Sequence, residues 1–426
     1  MNRRRIIFRI TFGIAIIFLA AFIYFLVTGR TQLTGPLLGF FFVFLAVSFH
    51  GFPSLSRYAY TVWIFAAVTI SMSYPRYFRQ VGSFELQKMI VPLLQIIMFG
   101  MGSQLSVRNF ADVIRMPRGV IVGVLSHFVI MPLVGYSIAS IFGFPPEIAA
   151  GIILVGSSPS GLASNVMSFI ARANLALAVT VTAFSTMLAP FMTPLLMKNL
   201  AGQMVAVNFW DMMLNIINMV ILPVVAGLIF NAISYGLTKR KSILIQAVVY
   251  ILIILLKNFV RLQVDALPLE QFVLFSLKDI LWFSLLPIAA AIIFRYAARG
   301  RKELLDRIMS LVSMLGIGFI ITIITAAGRD SLLTIGLILI LACLLHNVAG
   351  YFLGYWLCRL IRMDERSCRT IGFEVGMQNC GLASGIAMEM GKIATVGLAA
   401  AVFGPLMNIT GSSLASWWRA KPPKGG

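Results

Sequence analysis

Charge is what this sequence has least of. Only 11% of its 426 residues are Asp, Glu, Lys or Arg, against a usual ~25% in soluble chains. Apolar residues make up 60%, and the mean hydropathy is +0.95. A water-soluble fold of that composition would have too little polar surface to cover itself, so that class is excluded. Cysteine is scarce too: Cys343, Cys358, Cys368 and Cys380 show no CxxC spacing, and neither a disulfide framework nor a thiolate zinc site is expected. His50, His127 and His346 form no HExxH, which removes the zincin type of hydrolase. Acids are outnumbered, 14 against 34 bases, for a net charge of +20. In a soluble chain that excess would suggest nucleic acid. Here the bases sit in short segments between apolar runs, where they mark topology, and no nucleic-acid partner is expected.

What the chain does have is apolar runs of ~17–25 residues from one end to the other, the length of a helix that crosses a bilayer. Barrel strands would be shorter and alternating. The sequence therefore predicts an all-α polytopic membrane protein, with the lipid bilayer as its solvent. Spans fall near 10–27, 35–52, 59–75, 88–104, 119–142, 147–170, 174–197, 211–233, 243–260, 271–297, 307–326, 332–358, 370–391 and 393–417, fourteen in all. The basic start Met1-Asn-Arg-Arg-Arg precedes an uncleaved span, since no small-residue cleavage site closes it. With a cytoplasmic N-terminus the even count returns the C-terminus to the cytoplasm. On that assignment 24 of the 34 Lys and Arg lie on the cytoplasmic side, as the positive-inside rule requires. Arg76, Arg79 and Lys88 dissent, clustering on the outer side. The expected location is a cell membrane, the inner one in a Gram-negative cell.

Two spans carry the wrong residues for continuous helices. One reads Gly156-Ser-Ser-Pro-Ser-Gly-Leu-Ala-Ser-Asn165 at its centre, the other Glu374-Val-Gly-Met-Gln-Asn-Cys-Gly-Leu-Ala-Ser384. Gly, Pro and stacked polar side chains free backbone carbonyls at bilayer depth, and these must find partners in protein or in a cavity with ions. Broken helices of this kind build binding sites in secondary transporters. The two segments are also related. Gly161-Leu-Ala-Ser164 recurs as Gly381-Leu-Ala-Ser384 at an offset of 220, and His127 with Gly135-Tyr136 recurs as His346 with Gly354-Tyr355 at 219. Seven span-to-span steps separate the His127 and His346 helices, an odd number, so equivalent helices run in opposite directions. That predicts an inverted-topology repeat.

An ionisable residue inside a span costs roughly 2.5–3.5 kcal/mol on insertion scales, so Glu374 needs a partner. Arg369 lies about 7 Å away along the helix axis and is one choice. A bound cation is the other, and Asn165 and Gln378 supply further oxygens that a hard cation takes. His127 has the alternative of a helix–helix hydrogen bond, and His346-Asn347 is read as tying helices together. Trp417-Trp418-Arg419 reads as an interfacial anchor.

At these residues the sequence resembles the bile acid:sodium symporter family. The matching stretches are Met98-Phe-Gly-Met-Gly102, Met131-Pro-Leu-Val-Gly135, Ala163-Ser-Asn-Val-Met167 with Ala171-Arg-Ala-Asn174, Leu345-His-Asn347, Glu374-Val-Gly-Met-Gln-Asn379 and Asn408-Ile-Thr-Gly-Ser412. The resemblance implies an inverted-repeat secondary transporter whose two broken helices cross at the centre of a core domain, with a panel domain moving against it. It assigns residues 59–234 and 307–420 to the two transporter halves. Residues 1–58 and 235–306 are additional helix pairs, and 421–426 a cytoplasmic tail.

By the same resemblance, one sodium site uses Ser164, Asn165, Thr182 and Glu374, with Ala178 standing where a hydroxyl is usual. A second uses Glu374, the carbonyls of Val375 and Met377, the Gln378 side chain, and His127 in place of a glutamine. Asn379 and Asn408 face the substrate, beside Leu162 and Met407, which replace a threonine and a histidine. The implied activity is sodium-coupled import of an organic anion by alternating access, with sodium as coupling ion, no further cofactor, and no enzymatic reaction. The substrate, the sodium stoichiometry and the oligomeric state are left open. A proton-coupled or uncoupled carrier, or a sensor derived from a transporter, is an alternative. A membrane serine hydrolase built from Gly156-Ser-Ser-Pro-Ser-Gly with His127 or His346 is the remaining one.

Overall fold

A backbone surrounded by lipid satisfies its N–H and C=O groups within one segment by forming a helix. The apolar runs do so throughout the computed structural model, which describes residues 3–52, 55–105, 115–235, 240–297 and 301–421. Helices α1 (Arg3–Val27) and α2 (Thr34–Phe49) form a hairpin. The chain then runs through α3 (Ala59–Ser73) and the short α4 (Pro75–Arg79). A two-stranded hairpin, β1 (Gln80–Val81) and β2 (Phe84–Glu85), leads into α5 (Ile90–Gln104). Next come α6 (Pro117–Phe142), α7 (Pro146–Ser157), α8 (Ala163–Ile170) and α9 (Leu175–Ala201). A π-helical turn, Ile217–Ile221, joins α10 (Phe209–Ile216) to α11 (Leu222–Tyr235). Helix α12 (Arg240–Val264) pairs with α13 (Leu269–Ile280), which passes through a second π turn, Leu281–Leu285, into α14 (Leu286–Ala297). The last helices are α15 (Lys302–Ala327), α16 (Arg329–Leu360), α17 (Glu365–Gly376), α18 (Cys380–Glu389) and α19 (Val396–Ala420).

Among the described residues, ten helices are long and apolar enough to cross a membrane. Helices α2 and α3 are shorter apolar ones, and the α7–α8 and α17–α18 pairs are interrupted, so the helices follow the order of the fourteen expected spans. The main buried cluster joins α5, α6, α7 and α9 to α16–α19. A smaller one packs α11 against α12 and the second π turn, around Tyr250, Ile254 and Phe283.

Two of the three dissenting basic residues have a structural use. Arg79 donates to the carbonyls of Ala326 (2.9 Å) and Ala327 (3.3 Å), so it caps the exposed C-terminal end of α15, and Lys88 pairs with Glu85. Helix C-termini attract cations irrespective of membrane side. Of the bases counted for orientation, Arg108, Lys239, Arg299 and Lys424 lie outside the described residues, as does the 422–426 part of the tail. The expected tryptophan anchor divides in two. Trp417 is exposed beneath Lys421, whereas Trp418 is buried against Phe373, with ring centroids 5.0 Å apart. One residue of rotation on the helix separates a lipid-facing ring from a packed one.

Candidate functional site

The two interrupted helices meet where the sequence breaks them. Chain leaves α7 at Ser158 and re-enters helix at Ala163; it leaves α17 at Met377 and re-enters at Cys380. The freed backbone groups pair across the gap: Gly161 N donates to Met377 O at 3.0 Å, and Asn379 N donates to Pro159 O at 2.8 Å. Ser160 and Gln378 form an antiparallel bridge. This contact needs glycine, because a Cβ on Gly161 would stand 2.7 Å from Gln378 O. Thr193 Oγ1 donates to Ser157 O (2.7 Å) and Asn347 Nδ2 to Gly376 O (2.8 Å), which satisfies two more carbonyls at the breaks.

Glu374 lies in the last turn of α17 and is fully buried. Its Oε1 accepts from Ser164 Oγ at 2.5 Å and its Oε2 from Thr182 Oγ1 at 2.8 Å. Thr182 Oγ1 is also 3.3 Å from Asn165 Oδ1, so four oxygen-bearing side chains from α8, α9 and α17 converge. A hydroxyl has one proton; given to Glu374, it leaves Asn165 Oδ1 facing another oxygen. Arg369, the alternative partner, is engaged elsewhere. It donates to Glu365 Oε1 (2.9 Å), Trp418 O (3.1 Å) and Lys421 O (2.8 Å). Among the described residues no Lys, Arg or His side chain forms an ion pair with Glu374.

The second group of oxygens continues along the same break. Gln378 Nε2 donates to Val375 O at 2.7 Å, and its Oε1 is buried without a hydrogen-bond partner among the described residues. Met377 O already accepts from Gly161 N. His127 from α6 is fully buried, with Nδ1 2.9 Å from Glu374 O and Nε2 2.8 Å from Ser158 O. Both ring nitrogens thus face main-chain carbonyls, one from each broken helix, rather than the side-chain oxygens around Glu374. The ring stands between the two breaks, where a neutral imidazole, with one N–H, donates to one of the two carbonyls.

Asn379 caps α18, its Oδ1 accepting from Leu382 N at 3.0 Å, while its Nδ2 lies 3.9 Å from Met98 Sδ on α5. Leu162 occupies the same capping position before α8. Met407 is buried and Asn408 half-buried on α19, and no hydrogen bond joins them to Asn379 among the described residues. His346 Nε2 faces Met131 O at 2.9 Å, so His346 and Asn347 do tie helices together. No serine hydroxyl is a hydrogen-bond partner of either histidine ring among the described residues, so the nucleophile–base contact of a hydrolase is not formed there. The residues around the site that sequence reasoning passed over are Ser160 and Thr410. Ser160 Oγ lies 3.4 Å from both Ser164 Oγ and Met377 O, and Thr410 donates to Asn347 Oδ1 at 2.5 Å. Thr410 stood inside the quoted Asn408–Ser412 motif, and Ser160 inside the break itself; both signals were present.

Known proteins share this chain's sequence over most of its length. The family model described as the sodium bile acid symporter family matches residues 91–267. The Bacillus subtilis (strain 168) protein named "Uncharacterized sodium-dependent transporter YocS" is 33% identical, over 85% of this chain and 91% of its own. The Arabidopsis thaliana protein named "Probable sodium/metabolite cotransporter BASS1, chloroplastic" is 30% identical, over 86% of this chain and 74% of its own. The ileal sodium/bile acid cotransporter of Oryctolagus cuniculus is 36% identical over a shorter stretch, 28% of this chain and 34% of its own. With that likeness running nearly end to end, and with paired broken helices in an all-helical multi-pass membrane protein, the chain belongs to the sodium bile acid symporter family.

Proposed function

We propose that this protein is a sodium-coupled secondary transporter that imports an organic anion by alternating access. One observation carries the reading: a fully buried carboxylate at the helix crossing has hydroxyl and amide oxygens around it and no basic partner among the described residues. A buried carboxylate left with such partners is an incomplete site, and a hard monovalent cation completes it. Sodium bound among Ser164, Asn165, Thr182 and Glu374 would stabilise the crossing. A second ion would draw on Val375 O, Met377 O and the unpartnered Gln378 Oε1, with His127 holding the two breaks in place. The named relatives are sodium-dependent or sodium-coupled by description, which supports the same ion here.

The anion would bind beside Asn379 and Asn408, with Leu162 and Met407 making that surface less polar. Helices α6–α9 and α16–α19 would form the core, and α3, α5, α10–α11 and α15 the panel that rocks against it. An apolar cavity of about 280 Å³ between α5, α9, α11 and α12 lies on that seam, lined by Met101, Thr186 and Leu228 among others. The hairpins α1–α2 and α12–α14 would be additions to the two halves. Both termini would be cytoplasmic, in a cell membrane.

Proton coupling through Glu374 is a second reading, favoured by full burial of the carboxyl with no basic partner among the described residues. Uptake into proteoliposomes separates the two. A sodium gradient should drive uptake without a pH gradient, and Glu374→Gln should abolish it while the protein still reaches the membrane. Uptake driven by a pH gradient alone would select the proton reading. Normal sodium-driven uptake by the folded variant would sink the site.

A further inference from the structure

A cavity of about 350 Å³ lies between α5, the π turn after α10, and the α12–α13 pair. It shares no residue with the helix crossing. Its lining carries three cations, Lys257, Arg261 and Lys278, against one acid, Asp279. Lys257 Nζ meets Asp279 Oδ2 at 2.5 Å, both side chains largely buried, and that pair is neutral as a unit. Arg261 touches Asp265 only through Nε, at 3.3 Å, which leaves its terminal nitrogens without a hydrogen-bond acceptor among the described residues. Glu389, at the end of α18, is within electrostatic reach of Arg261 but is not part of the lining. Lys278 has no acidic partner within ion-pair distance among the described residues. It stands nine residues into α13 from Leu269, about 14 Å along the axis, and is exposed while its side chain lines the cavity.

The rest of the wall suits an anion with an apolar body. Phe275, Trp282 and Phe283 supply aromatic surface, while Gln95, Asn218 and Asn258 supply amides. Asn258 is 2% exposed; its Nδ2 donates to Asp279 Oδ2 at 3.0 Å, and its Oδ1 has no partner among the described residues. That oxygen accepts rather than donates, so it would take a water or a ligand N–H or O–H and not the carboxylate itself. Asn218 belongs to the first π turn, and Trp282 and Phe283 to the second. Such turns widen a helix locally and recur at functional sites. Here both of them present side chains to one cavity.

We propose that this cavity is a second anion site, separate from the helix crossing, which takes a small carboxylate with an aromatic or branched apolar body. The carboxylate lies between Arg261 and Lys278, and the body rests on Trp282 and Phe283. The anionic group of a lipid headgroup has the same chemistry and is the other source. Nothing in this depends on which ion drives transport.

The test is calorimetric titration of the full chain in nanodiscs of neutral phosphatidylcholine, with benzoate as the anionic probe and benzamide as its uncharged counterpart. Benzoate should bind and benzamide should not. Arg261→Gln and Lys278→Gln should each weaken benzoate by about ten-fold, since both leave the Lys257–Asp279 pair intact. Glu374→Gln should bind benzoate as the wild type does, which keeps the result apart from the fate of the sodium reading. Nanodiscs containing anionic phosphatidylglycerol resolve the source. Benzoate displaced in proportion to that lipid identifies a headgroup in the same site, and benzoate undisturbed identifies a soluble anion. The proposal is overturned if benzoate fails to bind the wild type, if both substitutions leave its affinity unchanged, or if Glu374→Gln alone removes it.

Discussion

Two of the places where the described residues hold ionisable side chains within membrane-spanning helices are resolved in opposite ways. At the helix crossing, Glu374 has hydroxyl donors from Ser164 and Thr182 and no base. On the α12–α13 hairpin, Asp279 has a base, Lys257, and two further cations beside it. The first is an acid left short of positive charge, the second a group of bases left short of negative charge. A membrane protein tolerates neither without a function to occupy it. On the proposed reading, the sign of what is missing names the ligand: a cation at one, an anion at the other.

The comparison breaks most visibly in stability. Removing Asp279 leaves Lys257 as a buried charge alone, and the loss of one partner from a buried pair costs about 3–5 kcal/mol. Asp279→Asn should therefore lower the melting temperature of the protein markedly, and Lys257→Met with Asp279→Leu should recover most of the loss. Glu374→Gln deletes a buried charge with no counter-charge to strand. It should melt no lower than the wild type in sodium-free buffer, and should no longer be stabilised by added sodium. Thermal melts of the three variants with and without sodium decide it; a large loss in Glu374→Gln would mean that Glu374 is a structural partner like Asp279.

A smaller effect separates the hydroxyls. Hydrogen bonds to a charged group are worth roughly 1.5–3 kcal/mol, so Ser164→Ala and Thr182→Val should each weaken sodium binding by about ten-fold or more. Thr182→Ser keeps the hydroxyl and should stay near wild type. Benzoate binding at the α12–α13 cavity should not respond to any of the three. Sodium titrations followed by thermal shift provide the measurement, since a ligand that binds the folded state raises its stability by mass action. Equal sodium affinity in Ser164→Ala and wild type would remove Ser164 from the ion's surroundings.

Much of this was legible in the sequence because lipid simplifies the code. Apolar runs of spanning length predict crossings one by one, and the Gly156–Asn165 and Glu374–Ser384 segments announce breaks by composition alone. The offset of 220 between Gly161-Leu-Ala-Ser164 and Gly381-Leu-Ala-Ser384 relates the two breaks from sequence alone. Contact partners were harder to read, since they depend on which way a ring or carboxylate turns. His127 is placed at the crossing by sequence, yet only geometry turns both its nitrogens to carbonyls. Arg369 sits close enough to Glu374 along the helix to neutralise it, but it is drawn to Glu365 and to the end of α19 instead. Lys257, Arg261 and Lys278 had no motif to flag them. Their meaning comes from two helices meeting, and sequence separation hides that.

The smallest predicted effect falls on Asn379, and it tests whether the crossing has a substrate side distinct from its ion side. Asn379 follows Gln378 directly, yet its oxygen is used to cap α18 and its nitrogen is turned toward Met98 on α5. A lost N-cap costs about 1 kcal/mol, so Asn379→Ala should show a slight fall in melting temperature together with a raised half-saturating substrate concentration. Sodium binding without substrate should stay near wild type, because the Glu374 oxygens are untouched. Asn379→Ser separates the two parts of that result. Serine caps helices as well as asparagine does, so stability should return, while the lost amide nitrogen should leave substrate affinity reduced. If Asn379→Ser restores both, the side chain serves only the helix, and the substrate contact lies elsewhere on the seam. If sodium affinity falls with substrate affinity in both variants, Asn379 belongs with the ion, and the crossing has no separate substrate side.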